Sequence, residues 1–144
     1  MNELTYRIAT SEAELEGAFL VRRRVFVAEQ KIAEDEEFDG LDGEALHVIA
    51  MEGREVIGTA RARFLGGGRA KVERMAVAEP CRRMGVGTGM LSFLLGELKM
   101  RQVSEVSLNA QYHVAAFYRA CGFMETGAPF LEVGIKHIRM QRTL

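Results

Sequence analysis

The sequence has no large excess of charge, few cysteines and no long apolar run. Its 144 residues include 19 Lys+Arg and 20 Asp+Glu, a net charge of −1. Proteins that bind DNA or RNA usually carry a clear basic excess, so no nucleic-acid partner is expected. No apolar run approaches the roughly 18 residues of a membrane helix, and residues 1–17 lack the features of a secretory signal. We therefore expect a cytoplasmic protein without a membrane partner, folded as a single domain over residues 1–144.

Cysteine and histidine spacing predicts neither a metal site nor a disulfide framework. Cys81 and Cys121 are far apart and form no C-x-x-C pair. The histidines, His47, His113 and His137, are dispersed along the chain. Zinc sites need closely spaced ligand pairs, so we expect reduced thiols and no metal.

Apolar periodicity and turn residues predict an α/β chain. Alternating or apolar runs bounded by turns predict strands at 4–9, 45–51, 55–65, 69–77, 105–110, from 123 and at 133–142. Helical spacing predicts helices at about 12–30, 86–100 and 114–121. Short glycine turns join the three strands between 45 and 77, which favours an antiparallel meander. The order β-α-β-β-β-α-β-α-β-β predicts one mixed sheet with helices on its faces.

An acidic segment and a single arginine in the first half of the chain can each be interpreted in two ways. Residues 34–44 hold seven acids and no Lys or Arg, which predicts a loop. This acidic segment either lines a site for a cationic amine or is simply solvated. Arg22 interrupts an apolar helix stripe, so it either extends past the core to solvent or points at an anionic group of a substrate.

A glycine-rich turn spans residues 81–89, Cys-Arg-Arg-Met-Gly-Val-Gly-Thr-Gly, between a predicted strand and a predicted helix. Glycine lets backbone N–H groups approach a ligand closely. The first N–H groups of a helix lack internal partners and favour negative charge. The turn therefore predicts a phosphate or pyrophosphate site, with a ligand-free tight turn as the alternative. The P-loop lysine and the G-x-G-x-x-G spacing are both absent.

The pattern Arg82-x-x-Gly85-x-Gly87 resembles the Q/R-x-x-G-x-G/A signature of the GNAT superfamily of N-acetyltransferases. Residues 72–77 resemble that family's fourth strand, and residues 116–123 resemble its F-Y-x-x-x-G-F element. Segments 22–30, 108–111 and 132–137, with His47, resemble the ElaA/YjcF-type branch. The resemblance covers essentially the whole chain. It implies the acyl-CoA N-acyltransferase fold, mostly antiparallel with helices on both faces, and acetyl-CoA as the acetyl donor.

The resemblance also assigns residues to acetyl-CoA. The turn would hold the pyrophosphate, and the fourth strand would hold the pantetheine arm and offer a backbone N–H to the thioester oxygen. These cofactor-binding candidates are Met75, Ala76, Val77, Arg82, Arg83, Met84, Gly85, Val86, Gly87, Thr88, Asn109 and Phe117.

Acetyl transfer to an amine needs an acid for the leaving thiolate and a base for the ammonium proton. The resemblance makes Tyr118 the acid. Glu73 and His137 are alternative bases. Alternation along the strand predicts that Glu73 shares a face with Met75 and Val77. Histidine titrates near neutrality, which suits a base.

The predicted function is acetyl-CoA-dependent N-acetylation of a primary amine, on a small molecule or peptide, by direct attack in a ternary complex. Arg22, Gln30 and His47 are the candidate substrate-binding residues. The alternative is a non-catalytic acetyl-CoA-binding sensor or interaction module on the same fold. A C-terminal edge strand makes a homodimer a further expectation.

Overall fold

The computed structural model describes residues 3–144, in which seven strands form a single sheet of order β1-β2-β3-β4-β5-β7-β6. The strands are β1 (Leu4–Ile8), β2 (Leu46–Glu52), β3 (Glu55–Gly66), β4 (Arg69–Val77), β5 (Glu105–Gln111), β6 (Met124–Glu132) and β7 (Ile135–Thr143). Neighbouring strands run antiparallel, except for the parallel pair β4 and β5. The predicted mixed sheet and its β2–β4 meander are confirmed. The last strand, β7, is internal, so the edge near the C-terminus is β6.

The helices lie between the strands in the predicted order. They are α1 (Glu12–Arg22), α2 (Glu34–Glu37), α3 (Val86–Met100) and α4 (Ala115–Ala120), and α1 continues as a π-helix over Arg23–Glu29. Ser11 and Glu14 form a capping box at the start of α1. The one-turn helix α2 lies in the segment predicted as a loop. Its four acids all occupy a first turn, where negative charge is favourable.

Two apolar clusters hold helices against opposite faces of the sheet. The larger cluster joins α3 and α4 to one face, and α3 contributes the buried residues Val86, Met90, Leu91, Leu94, Leu95 and Leu98. Burial of each leucine stabilises the fold by roughly 1.5–3 kcal/mol. The smaller cluster joins the α1 segment to the other face, through Val21, Val25, Phe26, Ile32 and Ala76. The sheet therefore has an α3/α4 face and an α1 face.

A bulge in β4 changes which side chains point to each face. Arg74 has a φ of +57°, and the β3–β4 register shifts beside it. Met75 packs on the α3/α4 cluster, as Val72 does, and Ala76 packs on the α1 cluster. Glu73 follows Val72, so it lies on the α1 face. The prediction that Glu73 and Met75 share a face is therefore wrong. The bulge adds one residue to β4 relative to β3, which breaks the alternation of side chains.

The parallel pairing of β4 and β5 covers only the first half of each strand. It ends where Val72 pairs with Leu108, and beyond that point no strand lies opposite this edge of β4 in the described chain. The separated ends leave an opening that connects the two faces of the sheet. No helix within residues 3–144 is long and apolar enough to cross a bilayer.

Candidate functional site

A cleft of about 1120 Å³ occupies the opening between the ends of β4 and β5. Its walls come from the end of β4, the start of α3, helix α4, the end of β5, the β6–β7 turn and the π-helix. Nearly all of the predicted site residues line it. These are Gln30, Glu73, Met75, Ala76, Val77, Arg82, Arg83, Gly85, Val86, Gly87, Thr88, Asn109, Phe117, Tyr118 and His137.

The N-terminus of α3 opens into this cleft without a protein cap. Gly85 is the N-cap residue, with a φ of +78° and no side-chain cap bond. Within residues 3–144, the N–H groups of Val86, Gly87 and Thr88 donate to no protein acceptor. A Cβ atom at Gly87 would lie 3.3 Å from the Phe117 ring. Three unsatisfied donors at a helix start form a site that fits a pyrophosphate.

The arginines of the turn differ in what they contact. The Nε of Arg82 donates to the carbonyl of Val77 at 2.9 Å, and its Nη2 donates to the Glu29 carboxylate at 2.9 and 3.0 Å. The charge of Arg82, a predicted cofactor-binding residue, is thus shared with Glu29. Arg83 is exposed and lines the cleft. Met84 is 52% exposed and lies outside the residues that line it.

Tyr118 enters the cleft from α4. Its hydroxyl lies 3.5 Å from the Met75 sulfur, and its ring makes edge contacts with Phe117 and Phe123. Burial raises the pKa of the Tyr118 hydroxyl well above its ordinary value. The hydroxyl therefore keeps its proton at neutral pH, as a proton donor must before transfer.

Glu73 is engaged by cations on the α1 face. Its carboxylate accepts hydrogen bonds from Arg61 and Arg63, at 2.9 Å from Arg63 Nη2, and lies 3.3 Å from the Lys71 ammonium. Burial alone would raise the pKa of Glu73, but the bonds from Arg63 and Arg61 outweigh it and lower the pKa to about 2. A carboxylate this acidic is a weak base at neutral pH, which argues against the base role predicted for Glu73.

His137 lies at the start of β7, buried to 4% exposure, and faces the cleft. Its Nδ1 is 2.7 Å from the Ile135 carbonyl. Because a carbonyl oxygen only accepts, Nδ1 carries the proton in the neutral ring and Nε2 keeps a lone pair. Nε2 lies 3.5 Å from the Glu132 carboxylate, and the ring stacks on Phe130. This orientation suits proton acceptance at Nε2.

Gln30 and Gln111 bridge the cleft between the π-helix and β5. Each side-chain amide donates to the other's oxygen, at 3.3 Å from Gln30 and 2.8 Å from Gln111. Gln111 also pairs with His137 in the β5–β7 register. The amide pair therefore lies beside the imidazole.

A family model described as an acetyltransferase (GNAT) domain matches residues 9–144. The chain belongs to the GNAT acetyltransferase family. The uncharacterized N-acetyltransferase YjcF of Bacillus subtilis is 35% identical over 94% of this chain and 96% of that protein. ElaA of Escherichia coli is 30% identical over 92% and 89%. The crystal structure of an acyl-CoA N-acyltransferase from Pseudomonas aeruginosa is 28% identical, covers 99% of each chain and has a TM-score of 0.83. The resemblance to the ElaA/YjcF branch is confirmed.

Two predicted substrate-binding residues lie outside the cleft of this GNAT domain. Arg22 is 1% exposed, and it donates to Glu37 at 2.9 Å and to Asp42 at 2.7 Å. His47 is 5% exposed, and its Nε2 is 2.9 Å from the Asp42 carbonyl. Burial lowers the pKa of His47. Both side chains are enclosed by the protein, which argues against their predicted contact with substrate.

Most of the acidic segment binds arginines of the same domain. Arg61, fully buried on β3, donates to Asp39 at 2.9 Å and to Asp42 at 3.0 Å. Arg74 pairs with Glu37 and Asp39. Sequence reasoning missed Arg61, although its place between Ala60 and Ala62 on a strand was a visible signal. The segment is mainly a structural cover for the α1 face, and Asp35 and Glu36 line the cleft.

The described GNAT domain also lacks an arrangement of metal ligands. Within residues 3–144, no group of three or more His, Cys, Asp or Glu side chains is placed to hold a metal ion. Both cysteines are free thiols.

Proposed function

We propose that this GNAT domain transfers an acetyl group from acetyl-CoA to a primary amine of a small molecule or peptide. The main support for this proposal is the position of two side chains in the cleft. A single cleft through the sheet has a proton donor, Tyr118, on its α3/α4 face and a proton acceptor, His137, on its α1 face. Ile138 and Met140 pack on the α3/α4 cluster, so alternation directs His137 to the other face. Donor and acceptor substrates can thus approach the reacting centre from opposite sides.

Acetyl-CoA would enter on the α3/α4 side. The free N–H groups of Val86, Gly87 and Thr88 bind its pyrophosphate, and Arg83 adds positive charge. The pantetheine arm pairs with the unpaired edge of β4 at Met75–Val77, as an added strand. Backbone N–H groups on this edge stabilise the negative charge that develops on the thioester oxygen. Asn109 on β5 lies across the gap and can hydrogen-bond the arm.

The reaction is a direct transfer in a ternary complex. The amine nitrogen attacks the thioester carbon, a C–N bond forms and the C–S bond breaks. His137 Nε2 accepts the proton that the amine loses, and Tyr118 donates a proton to the leaving sulfur. Glu73 stays ionised throughout and holds Arg61 and Arg63 in place. No acyl-enzyme is needed, and neither cysteine takes part.

Calorimetric titration with acetyl-CoA, followed by thiol release with a panel of amines, tests this proposal. We expect binding together with release of one CoA thiol for each acetylated amine. Binding without transfer to any amine would favour the alternative, a non-catalytic acetyl-CoA sensor. Failure to bind would contradict both.

A further inference from the structure

The β6–β7 turn holds a valine in a backbone conformation that valine rarely adopts. Glu132 pairs with Ile135, so Val133 and Gly134 form a two-residue hairpin turn. Their φ angles are +45° and +74°, as a type I′ turn requires. Asn-Gly is the usual pair at these positions, and a β-branched residue there is an outlier. The turn therefore carries strain that asparagine would relieve.

Val133 also exposes an apolar side chain in the candidate site. The residue is 41% exposed and lines the cleft. It directly follows Glu132, whose carboxylate lies 3.5 Å from His137 Nε2. A strained backbone and an exposed apolar group thus coincide beside the proposed base. Strain kept at such a position is typical of functional sites.

Other apolar residues line the same cleft on the α1 face. Val25, Phe26 and Ile32 contribute from the π-helix and the segment after it, and Ile135 packs on their cluster. These three residues and Val133 are called the apolar patch. Ile135 lies two residues before His137 on the same face of β7, so the patch adjoins His137.

The charges around the patch suit an ammonium group. Asp35, Glu36 and Glu132 line the cleft and can attract a cation. The carboxylates of Glu73 and Asp39 are engaged by Arg63, Lys71 and Arg74.

We propose that the acceptor is a small primary amine with one apolar group, and that Val133 is a specificity-determining residue whose side chain packs against that group. This inference rests on the proposed function. The amine nitrogen lies toward His137 and Glu132, and the carbon skeleton lies on the apolar patch. Val133 keeps its strained conformation because no asparagine could supply this contact.

The test compares Val133→Asn, Val133→Ala and a control, Gln102→Gly. Gln102 has a φ of +70°, is exposed and lies outside the residues that line the cleft. Val133→Asn and Gln102→Gly should each raise Tm by about 3 °C, because both relieve left-handed strain. Val133→Ala keeps the strain and should not raise Tm. Only the two Val133 variants should raise KM for 2-phenylethylamine, by about tenfold.

The outcomes separate this inference from the proposed function. Wild-type protein should prefer 2-phenylethylamine over spermidine and over glycine amide in kcat/KM. Acetyl transfer without that preference, or with an unchanged KM in both Val133 variants, would overturn the inference and leave the proposed function standing. A lower Tm for Val133→Asn would remove the strain argument and overturn the inference too. Acetyl-CoA binding without transfer to any amine would overturn both.

Discussion

Glu73 and Met75 are two positions apart on one strand, yet their side chains lie on opposite faces of the sheet. The bulge at Arg74, with its φ of +57°, separates them. Met75 thereby reaches Tyr118 on the α3/α4 face, and Glu73 reaches Arg61 and Arg63 on the α1 face. The one extra residue in β4 therefore places Glu73 in the ion-pair network with Arg61 and Arg63. It also leaves the strand edge beside Met75 available to a cofactor.

Glu73→Gln should destabilise the protein without removing a catalytic base. The substitution leaves the buried Arg61 with one fewer carboxylate, and breaking such a pair costs about 3 kcal/mol. We expect the free energy of unfolding in urea to fall by that amount, and the acid limb of the pH–rate profile to keep its midpoint. Glu55→Gln, at an exposed position, is the control. Loss of the acid limb with unchanged stability would instead make Glu73 the base.

Stability should also depend on pH through Glu73. Its pKa is about 2 in the folded protein and 4.5 ordinarily. A lowered carboxylate pKa stabilises the fold above the unfolded-state pKa, and this stabilisation is lost as the pH falls toward the folded-state pKa. The free energy of unfolding should therefore decrease between about pH 5 and pH 2. Chemical denaturation across this range should show a smaller decrease for Glu73→Gln than for wild type.

His137→Gln should impair chemistry and spare cofactor binding. Loss of a general base typically lowers kcat about 100-fold or more. We expect that loss together with disappearance of the acid limb in kcat/KM, while the Kd for acetyl-CoA stays unchanged. His113→Gln is a matched control, because His113 lines the same cleft and is exposed. Wild-type pH dependence in His137→Gln would show that another group accepts the proton.

Local sequence signals predicted much of the fold and most of the residues that line the cleft. The leucine spacing predicted the bounds of α3, 86–100, because an amphipathic helix buries one stripe of apolar side chains along its whole length. The glycines before it predicted an uncapped helix start. The bulge at Arg74 could not be predicted, because an arginine carries no signal for positive φ. The ion-pair network on the α1 face depends on partners distant in sequence, such as Arg22 with Asp42, which no local pattern reveals.

Arg22 and Arg23 are adjacent, but the same substitution should destabilise the protein far more at Arg22 than at Arg23. Arg22→Met leaves the buried Glu37 carboxylate, at 2% exposure, without one of its cations. We expect a loss of about 3–5 kcal/mol in the free energy of unfolding. Arg23→Met breaks an exposed pair with Glu34, which is worth about 0–1 kcal/mol, and a contact with the Phe38 ring worth about 0.5–1 kcal/mol. If Arg22→Met raised the acceptor KM at unchanged stability, Arg22 would bind substrate after all.

Tyr118→Phe, on the α3/α4 face, should lower the rate of transfer and leave acetyl-CoA binding intact, as expected for His137→Gln on the α1 face. The variant keeps the ring contacts with Phe117 and Phe123 and removes only the hydroxyl. We expect kcat to fall about 100-fold because the leaving sulfur loses its acid, with an unchanged Kd for acetyl-CoA. Tyr112→Phe, at an exposed tyrosine outside the cleft, should behave as wild type. Equal losses in kcat and binding would assign Tyr118 to cofactor binding.

Gly87→Asp should abolish the anion site at the start of α3. A Cβ atom added at Gly87 would lie 3.3 Å from the Phe117 ring, and the added carboxylate would face the pyrophosphate with like charge. We expect the Kd for CoA, measured by calorimetry, to rise at least about tenfold. Gly96→Asp places the same residue on the same helix, where a Cβ has no neighbour within 4 Å. The control should bind CoA normally. Unchanged binding in Gly87→Asp would mean that the diphosphate is held elsewhere and that the free N–H groups of α3 do not anchor the donor.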